Sequence, residues 1–303
     1  MRADSGVASV SVPQPVWART SDFLELTKPG VTTLVVFTAF VGFCAGTPGA
    51  LQLLLLFHTL AGTALMAAGC SAFNMYAERQ LDALMKRTAL RPLAAGRLPS
   101  RQALLFAFAV SGSGFVYLFV FVNLLTSLLS LAILASYLFL YTPLKKRTWL
   151  STLVGAVPGA LPGVIGWAGA NARLTYQAWV LFAIVFLWQL PHFYSIGWMY
   201  RDDYARAGIP VLSVIDLSGQ RTSRQAMSFI AVLFAVTLLP FCMNFAGKTY
   251  LVGALILGSA FLAFGIHFAR VRDQVSARRL FWASALYLPL LLILLVFEKI
   301  ASL

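Results

Sequence analysis

The sequence predicts an all-α, polytopic membrane protein, a bundle of nine transmembrane helices. Three observations carry that prediction. Apolar residues make up 60% of the 303-residue chain and charged residues only 11%, against about 25% charge in a soluble domain. The apolar residues gather in nine stretches, near 31–48, 51–73, 103–121, 124–141, 152–170, 178–199, 227–246, 250–268 and 281–297, each close to the roughly 20 residues that a spanning helix requires. The charges that remain are sorted to one side of these stretches. An ordinary cytoplasmic globular protein and a disordered chain are both excluded.

Orientation follows from the cations. Every Lys and Arg except Arg173, Lys248 and Lys299 lies before the first stretch or in the connections after the second, fourth, sixth and eighth. Loops rich in Lys and Arg stay in the cytoplasm, so the N-terminus and these four connections are predicted to be cytoplasmic. The net charge of +13 reflects this sorting and not a nucleic-acid surface. Every Asp and Glu except Glu298 shares the same face, which the charge rule does not require. A face carrying both signs suits a ligand that is anionic and metal-bound, or else ordinary surface ion pairing. Residues 1–20 lack a basic region followed by an apolar run and a cleavage site. They are expected to be a disordered cytoplasmic tail and not a secretory signal, leaving 21–303 as one transmembrane domain. Cys44, Cys70 and Cys242 show no paired spacing and read as small core residues.

The longest connections, about 74–102 and 200–226, follow the second and sixth stretches. Each opens with carboxylates at the end of an apolar helix and continues with Arg and Pro. Their offset of four spans suggests two four-helix halves plus a ninth helix.

In the first connection Asn74, Glu78 and Asp82 recur every four residues. If the second span continues helically they share one face. Carboxylates at that spacing repel unless a cation lies between them, and hard oxygen ligands suit Mg²⁺, which keeps waters and bridges carboxylates to phosphates. Arg87 and Arg91 repeat the interval just beyond, so two guanidinium forks could meet a diphosphate. The bland alternative is a helix end in which Glu78 pairs with Arg79 or Lys86. The second connection follows Trp188-Gln-Leu-Pro-His192-Phe and reads Tyr200-Arg-Asp202-Asp203-Tyr204-Ala-Arg-Ala-Gly208-Ile-Pro210. No carboxylate lies four residues from Asp202 or Asp203, so a second metal position would need Tyr200 or Tyr204 to complete it. His192 follows a proline inside a span, where an ionisable group is costly and therefore a candidate for function. His58 and His267 are weaker candidates. Lys145, Lys146 and Arg147 join the fourth and fifth spans, and a Gly/Pro-rich run over 155–169 suits close helix packing or a cavity wall.

These motifs carry a resemblance. Asn74–Asp82 resembles the first Asp-rich motif, N-x3-D-x3-D, of the UbiA superfamily of intramembrane prenyltransferases, with Glu78 where that pattern usually has Asp. The run Asp82-Ala-Leu-Met-Lys-Arg-Thr-Ala-Leu-Arg-Pro-Leu, the Pro-His-Phe element and the Asp-Asp-Tyr…Gly-Ile-Pro segment resemble the heme O synthase branch of that superfamily. The similarity extends through 141–167, where Thr152 departs from an Asn common in the family. It implies a nine-helix bundle whose cytoplasmic loops cap a central cavity. It further implies Mg²⁺ on Asn74, Glu78, Asp82 and Asp203, with Asp202 as the neighbouring alternative, and a diphosphate held by Arg87, Arg91 and Lys145 or Lys146. The reaction implied is farnesyl transfer from farnesyl diphosphate to the 2-vinyl group of heme B with addition of water, giving heme O, with His192 positioning the heme as axial ligand or beside the vinyl carbon. Two other readings stand beside it: prenylation of an aromatic quinone precursor, and transport of an anionic metabolite. The expected partners are the two substrates, the lipid bilayer, and a heme A synthase or terminal-oxidase assembly downstream. A bacterial inner membrane is expected, since the short tail is unlike an Arg-rich transit peptide.

Overall fold

The computed structural model describes residues 16–301. The helices in chain order are α1 (Val16–Leu26), α2 (Pro29–Gly46), α3 (Leu53–Leu84), α4 (Ser100–Phe121), α5 (Leu124–Ala135), a π-helical turn (Ser136–Tyr141), α6 (Thr142–Lys145), α7 (Ser151–Asn171), α8 (Tyr176–Met199), α9 (Arg201–Arg206), α10 (Leu212–Ile215), α11 (Gln220–Val236), α12 (Leu239–Cys242), α13 (Lys248–Val271) and α14 (Gln274–Ala301). No strand occurs among the described residues. Nine helical segments there are long and apolar enough to cross a membrane, counting Leu124–Lys145 and Gln220–Cys242 as one each. The expected tail over 1–20 lies mostly outside the described residues, and its last five positions already belong to α1.

Two extensions beyond the apolar stretches matter for the site. α3 runs to Leu84, well past its last continuous apolar residues, and so carries Asn74, Glu78 and Asp82 in helical register. The fourth span continues through the π turn and α6, so Lys145 ends a helix where a loop was expected. π turns of this kind often mark functional positions, and this one lies where Tyr137 and Tyr141 turn toward the cavity described below.

α7 and α8 are the most enclosed spans. The Gly-rich run of α7 divides between two roles. A Cβ on Gly42 of α2 would fall 1.9 Å from the Gly163 carbonyl oxygen, and one on Gly166 would fall 1.8 Å from that of Ala39. Backbone-to-backbone contact between α2 and α7 is therefore possible only with glycine at these positions. Gly155, Pro158, Gly159 and Pro162, nearer the start of α7, line the cavity instead. The outer faces are apolar and open, as at Phe108, Phe119, Leu128, Ile256 and Leu290, which is the surface a lipid environment covers.

Candidate active site

A cavity of about 540 Å³ opens among α2, α3, α5, α7 and α8, within the size range of small-molecule sites. Its body is apolar. Its polar end is built by α3, the start of α2 and the end of the fourth span.

The α3 face forms as the spacing predicts, with Asn74, Glu78 and Asp82 at 2%, 4% and 0% exposure. Buried carboxylates need partners, and each finds a cation from elsewhere in the chain. Lys145 Nζ donates to both Glu78 oxygens at 2.7 Å. Arg91 Nη1 donates to the Asp82 oxygens at 2.8 and 2.9 Å. Lys28 Nζ donates to Asn74 Oδ1. The buried Asn74 amide nitrogen has no hydrogen-bond partner among the described residues, a donor left for an incoming oxygen.

Lys28 was not among the sequence candidates, where it counted only toward charge asymmetry. It precedes Pro29 in a left-handed conformation, φ 46°, which disfavours any residue with a Cβ. That backbone turn ends α1 and aims the ammonium at α3. Burial, and next the Arg91 charge, bring the Lys28 ammonium down to about 8 against the opposing pull of Glu78. An anion bound beside it would reverse that pressure. The signal available in the sequence was a Lys-Pro step at the mouth of the first span.

The structure corrects several expectations. Met85 is extended and the chain turns there, with Thr88 Oγ1 donating to the Asp82 carbonyl, so Arg87 and Arg91 do not share a helix face. Arg91 reaches Asp82. Arg87 instead donates to Tyr204 Oη at 2.7 Å and lies over the Tyr200 and Tyr204 rings. Arg87 thereby ties the first long connection to the second. Lys145 lines the cavity whereas Lys146 is exposed outside it. Glu78 pairs across the fold with Lys145 and not with Arg79 or Lys86. The Asp202 side chain is 84% exposed, with Arg201 at 3.9 Å, because the start of α9 turns it outward. Asp203 is buried and paired with Arg206.

Histidines divide equally clearly. His192 lines the cavity. His58 Nδ1 lies 2.8 Å from Tyr117 Oη and the ring stacks on Phe121, and His267 faces Arg279.

The residues fit a hard divalent cation that keeps part of its shell for other ligands. Among the described residues no three His, Cys, Asp or Glu side chains converge. Two carboxylates and an amide oxygen on one helix face are the partial set that Mg²⁺ takes when waters and phosphate oxygens complete it. Lys28, Lys145 and Arg91 set three cations against that face.

The model of the UbiA prenyltransferase family matches residues 35–291. The chain belongs to the UbiA prenyltransferase family. Among proteins similar to this family member, a protoheme IX farnesyltransferase of Solibacter usitatus is 49% identical over 287 residues, 92% of this chain and 98% of that one. Another of that name, from Koribacter versatilis, is 40% identical over 96% of this chain and 97% of its own. The fold is shared with solved structures of low identity. One from work on a digeranylgeranylglyceryl phosphate synthase has a TM-score of 0.78 at 15% identity, covering 94% of this chain and 99% of that one. A UbiA homologue from Archaeoglobus fulgidus bound to GPP and Mg²⁺ has a TM-score of 0.62 at 16% identity, covering 90% and 99%. This UbiA-family protein is thus a multi-pass membrane prenyltransferase by family, fold and helix content.

Proposed function

We propose that the protein transfers the farnesyl group of farnesyl diphosphate to the 2-vinyl group of heme B, with water supplying the new hydroxyl, giving heme O and diphosphate. The observation that carries this reading is the buried Asn74–Glu78–Asp82 face, met by Lys28, Lys145 and Arg91, with Lys28, Asn74 and Lys145 lining the polar end of an apolar cavity. It is supported by relatives of that name at 49% and 40% identity over nearly their whole lengths.

In this reading Asn74, Glu78 and Asp82 would hold Mg²⁺, with Asp203, paired with Arg206, as a further carboxylate from the second connection. When bound, the metal neutralises charge developing on the leaving diphosphate. Lys28 and Lys145 would bind the non-bridging oxygens, and Arg91, paired with Asp82, would be a third cation for them. Preorganised cations aimed at the leaving group stabilise the transition state for ionisation. The C1–O bond breaks with its electron pair going to the diphosphate, the vinyl π electrons form the new C–C bond, and water adds to the resulting cation with loss of a proton. The apolar wall of Ile133, Leu134, Pro158 and Pro162 excludes water from the isoprenoid until that step. The domain takes in α1 and so begins before the expected boundary at 21, and it lies in a bacterial inner membrane with this site on the cytoplasmic face.

The test incubates purified protein in detergent with heme B, farnesyl diphosphate and Mg²⁺ and weighs the heme. A mass gain of farnesyl plus water, absent in Asp82→Ala, is expected. Prenylation of an aromatic quinone precursor in its place would overturn the choice of acceptor. Inactivity on both, in protein whose thermal unfolding shifts with a non-prenyl anion, would favour transport.

A further inference from the structure

The hydrogen bonds of His192 fix which ring nitrogen is free. His192 Nδ1 lies 2.8 Å from Ser284 Oγ, and Ser284 Oγ lies 2.6 Å from the Phe281 carbonyl oxygen. A carbonyl can only accept, and a serine hydroxyl has one proton to give. Ser284 therefore donates to Phe281 and accepts from His192, so Nδ1 carries the imidazole proton. Nε2 is left with an in-plane lone pair on a side chain that lines the cavity.

The rest of the arrangement restricts how that imidazole can be used. Trp188 stacks on it at 5.2 Å and 23°, and Phe281 at 4.8 Å and 29°. With aromatic rings stacked on it, the imidazole meets a planar macrocycle by its edge and not by its face. Trp188 Nε1 donates to the Ser284 carbonyl at 2.7 Å, so one fully buried residue of α14 orients both Trp188 and His192, one turn apart on α8. A neutral imidazole with Nδ1–H anchored and Nε2 bare is the arrangement of a metal-ligating histidine and its outer partner.

We propose that His192 binds the heme iron through Nε2 as an axial ligand and that Ser284 is the positioning residue that sets its tautomer. This rests on the heme reading above and goes beyond it, since a residue merely beside the vinyl carbon would need neither a fixed tautomer nor a bare Nε2. The iron–nitrogen axis then sets the tilt of the macrocycle, while Cys70 and Met66, the sulfur side chains of the same cavity, lie on α3 toward the diphosphate end.

Resonance Raman spectroscopy of the full-length protein with ferrous heme B tests this. The wild type is expected to show an iron–imidazole stretching band, His192→Gly to lose it, and added imidazole to restore it. Ser284→Ala is expected to keep the band at lower frequency and to weaken heme binding roughly tenfold, as loss of an outer partner does. Ser284→Thr should recover both. A band that survives His192→Gly, or a wild type that farnesylates heme without one, overturns the ligand assignment and leaves the reaction standing. A band unchanged in Ser284→Ala overturns the positioning role. Protein that binds no heme and prenylates another acceptor overturns the assignment together with the proposed function.

Discussion

The ends of α3 and α8 both point into the cationic face with two carboxylates and several arginines, yet the structure uses them differently. At the end of α3, Glu78 and Asp82 are almost fully enclosed, and Glu78 is met by a lysine 67 positions away. Lys28 reaches the same face from 46 positions before Asn74. At the end of α8, Asp203 pairs with Arg206 within one helical turn and Asp202 points to solvent. The first set joins three elements round a cavity; the second mostly closes on itself. Buried pairs drawn from distant elements add little net stability, since desolvation offsets attraction. What they do provide is cations and carboxylates already desolvated at one place, where on the proposed function an anion and a metal exchange with them. On the proposed function, the contrast separates a face built in advance from one in which Asp203 must first leave Arg206.

The largest expected effect lies in the first constellation. Asp82→Ala should lower the rate of farnesyl transfer by about a thousandfold, on the scale seen when a preorganised group at the developing charge is lost, with thermal unfolding in detergent checking that the protein stays folded. A residual rate within tenfold of wild type would break the comparison, because the α3 face would then be an ion-pair cluster like any other.

Lys28→Ala comes next. Its ammonium donates to Asn74 and lies in the field of Glu78 and Asp82, so on the proposed function its removal should act chiefly on diphosphate binding. Charge-assisted hydrogen bonds are worth roughly 1.5–3 kcal/mol, which corresponds to a rise of about tenfold or more in KM for farnesyl diphosphate, with kcat less affected. A change confined to kcat would place Lys28 at the leaving oxygen instead.

Lys28 also shows how far the sequence can be read. The nine spans and the shared face of Asn74, Glu78 and Asp82 were legible because hydropathy and helical period are local properties. So was the grouping of acids and bases on one side. The partners of those carboxylates were not, because they depend on where chains turn. A break at Met85 withdraws Arg87 from the face its spacing implied and delivers Arg91 to Asp82. Continuation of the fourth span singles out Lys145 over Lys146. The start of α9 buries Asp203 and exposes Asp202. Ser284 lies within an apolar stretch with no motif around it, and only the packing of α14 on α8 brings it to His192.

A third carboxylate of the second connection sharpens the contrast. Asp216 accepts from the Thr222 backbone at 2.8 Å, the Thr222 hydroxyl at 3.0 Å and Ser218 at 3.0 Å, closing the first turn of α11. Burial pushes its carboxyl up, but these hydrogen bonds win and hold it below the ordinary Asp value. A depressed value means that the stabilisation is present above pH ~4 and fades as pH falls through the lower folded-state value. Asp216→Ala should cost about 1 kcal/mol of stability at neutral pH, as lost helix caps do, and that difference should shrink in acid. Farnesyl transfer per folded molecule should be unaffected.

The smallest expected effect belongs to Asp202. Its neighbour Asp203 shares the motif, and from spacing alone the two were equivalent metal candidates. With its side chain 84% exposed and its nearest cation at 3.9 Å, Asp202 has a fully screened surface charge, and pairs of that kind contribute roughly nothing to 1 kcal/mol. Asp202→Ala should therefore leave farnesyl transfer within twofold of wild type and leave its Mg²⁺ dependence unchanged, while Asp203→Ala should raise the Mg²⁺ concentration needed for half-maximal rate. If instead Asp202→Ala shifts the Mg²⁺ requirement and Asp203→Ala does not, α9 must rotate when substrate binds, exchanging the Asp203–Arg206 pair for Asp202 at the metal. The end of α8 would then be a second binding constellation that assembles only in the complex, and the distinction between a face built in advance and one closed on itself would be a difference in timing.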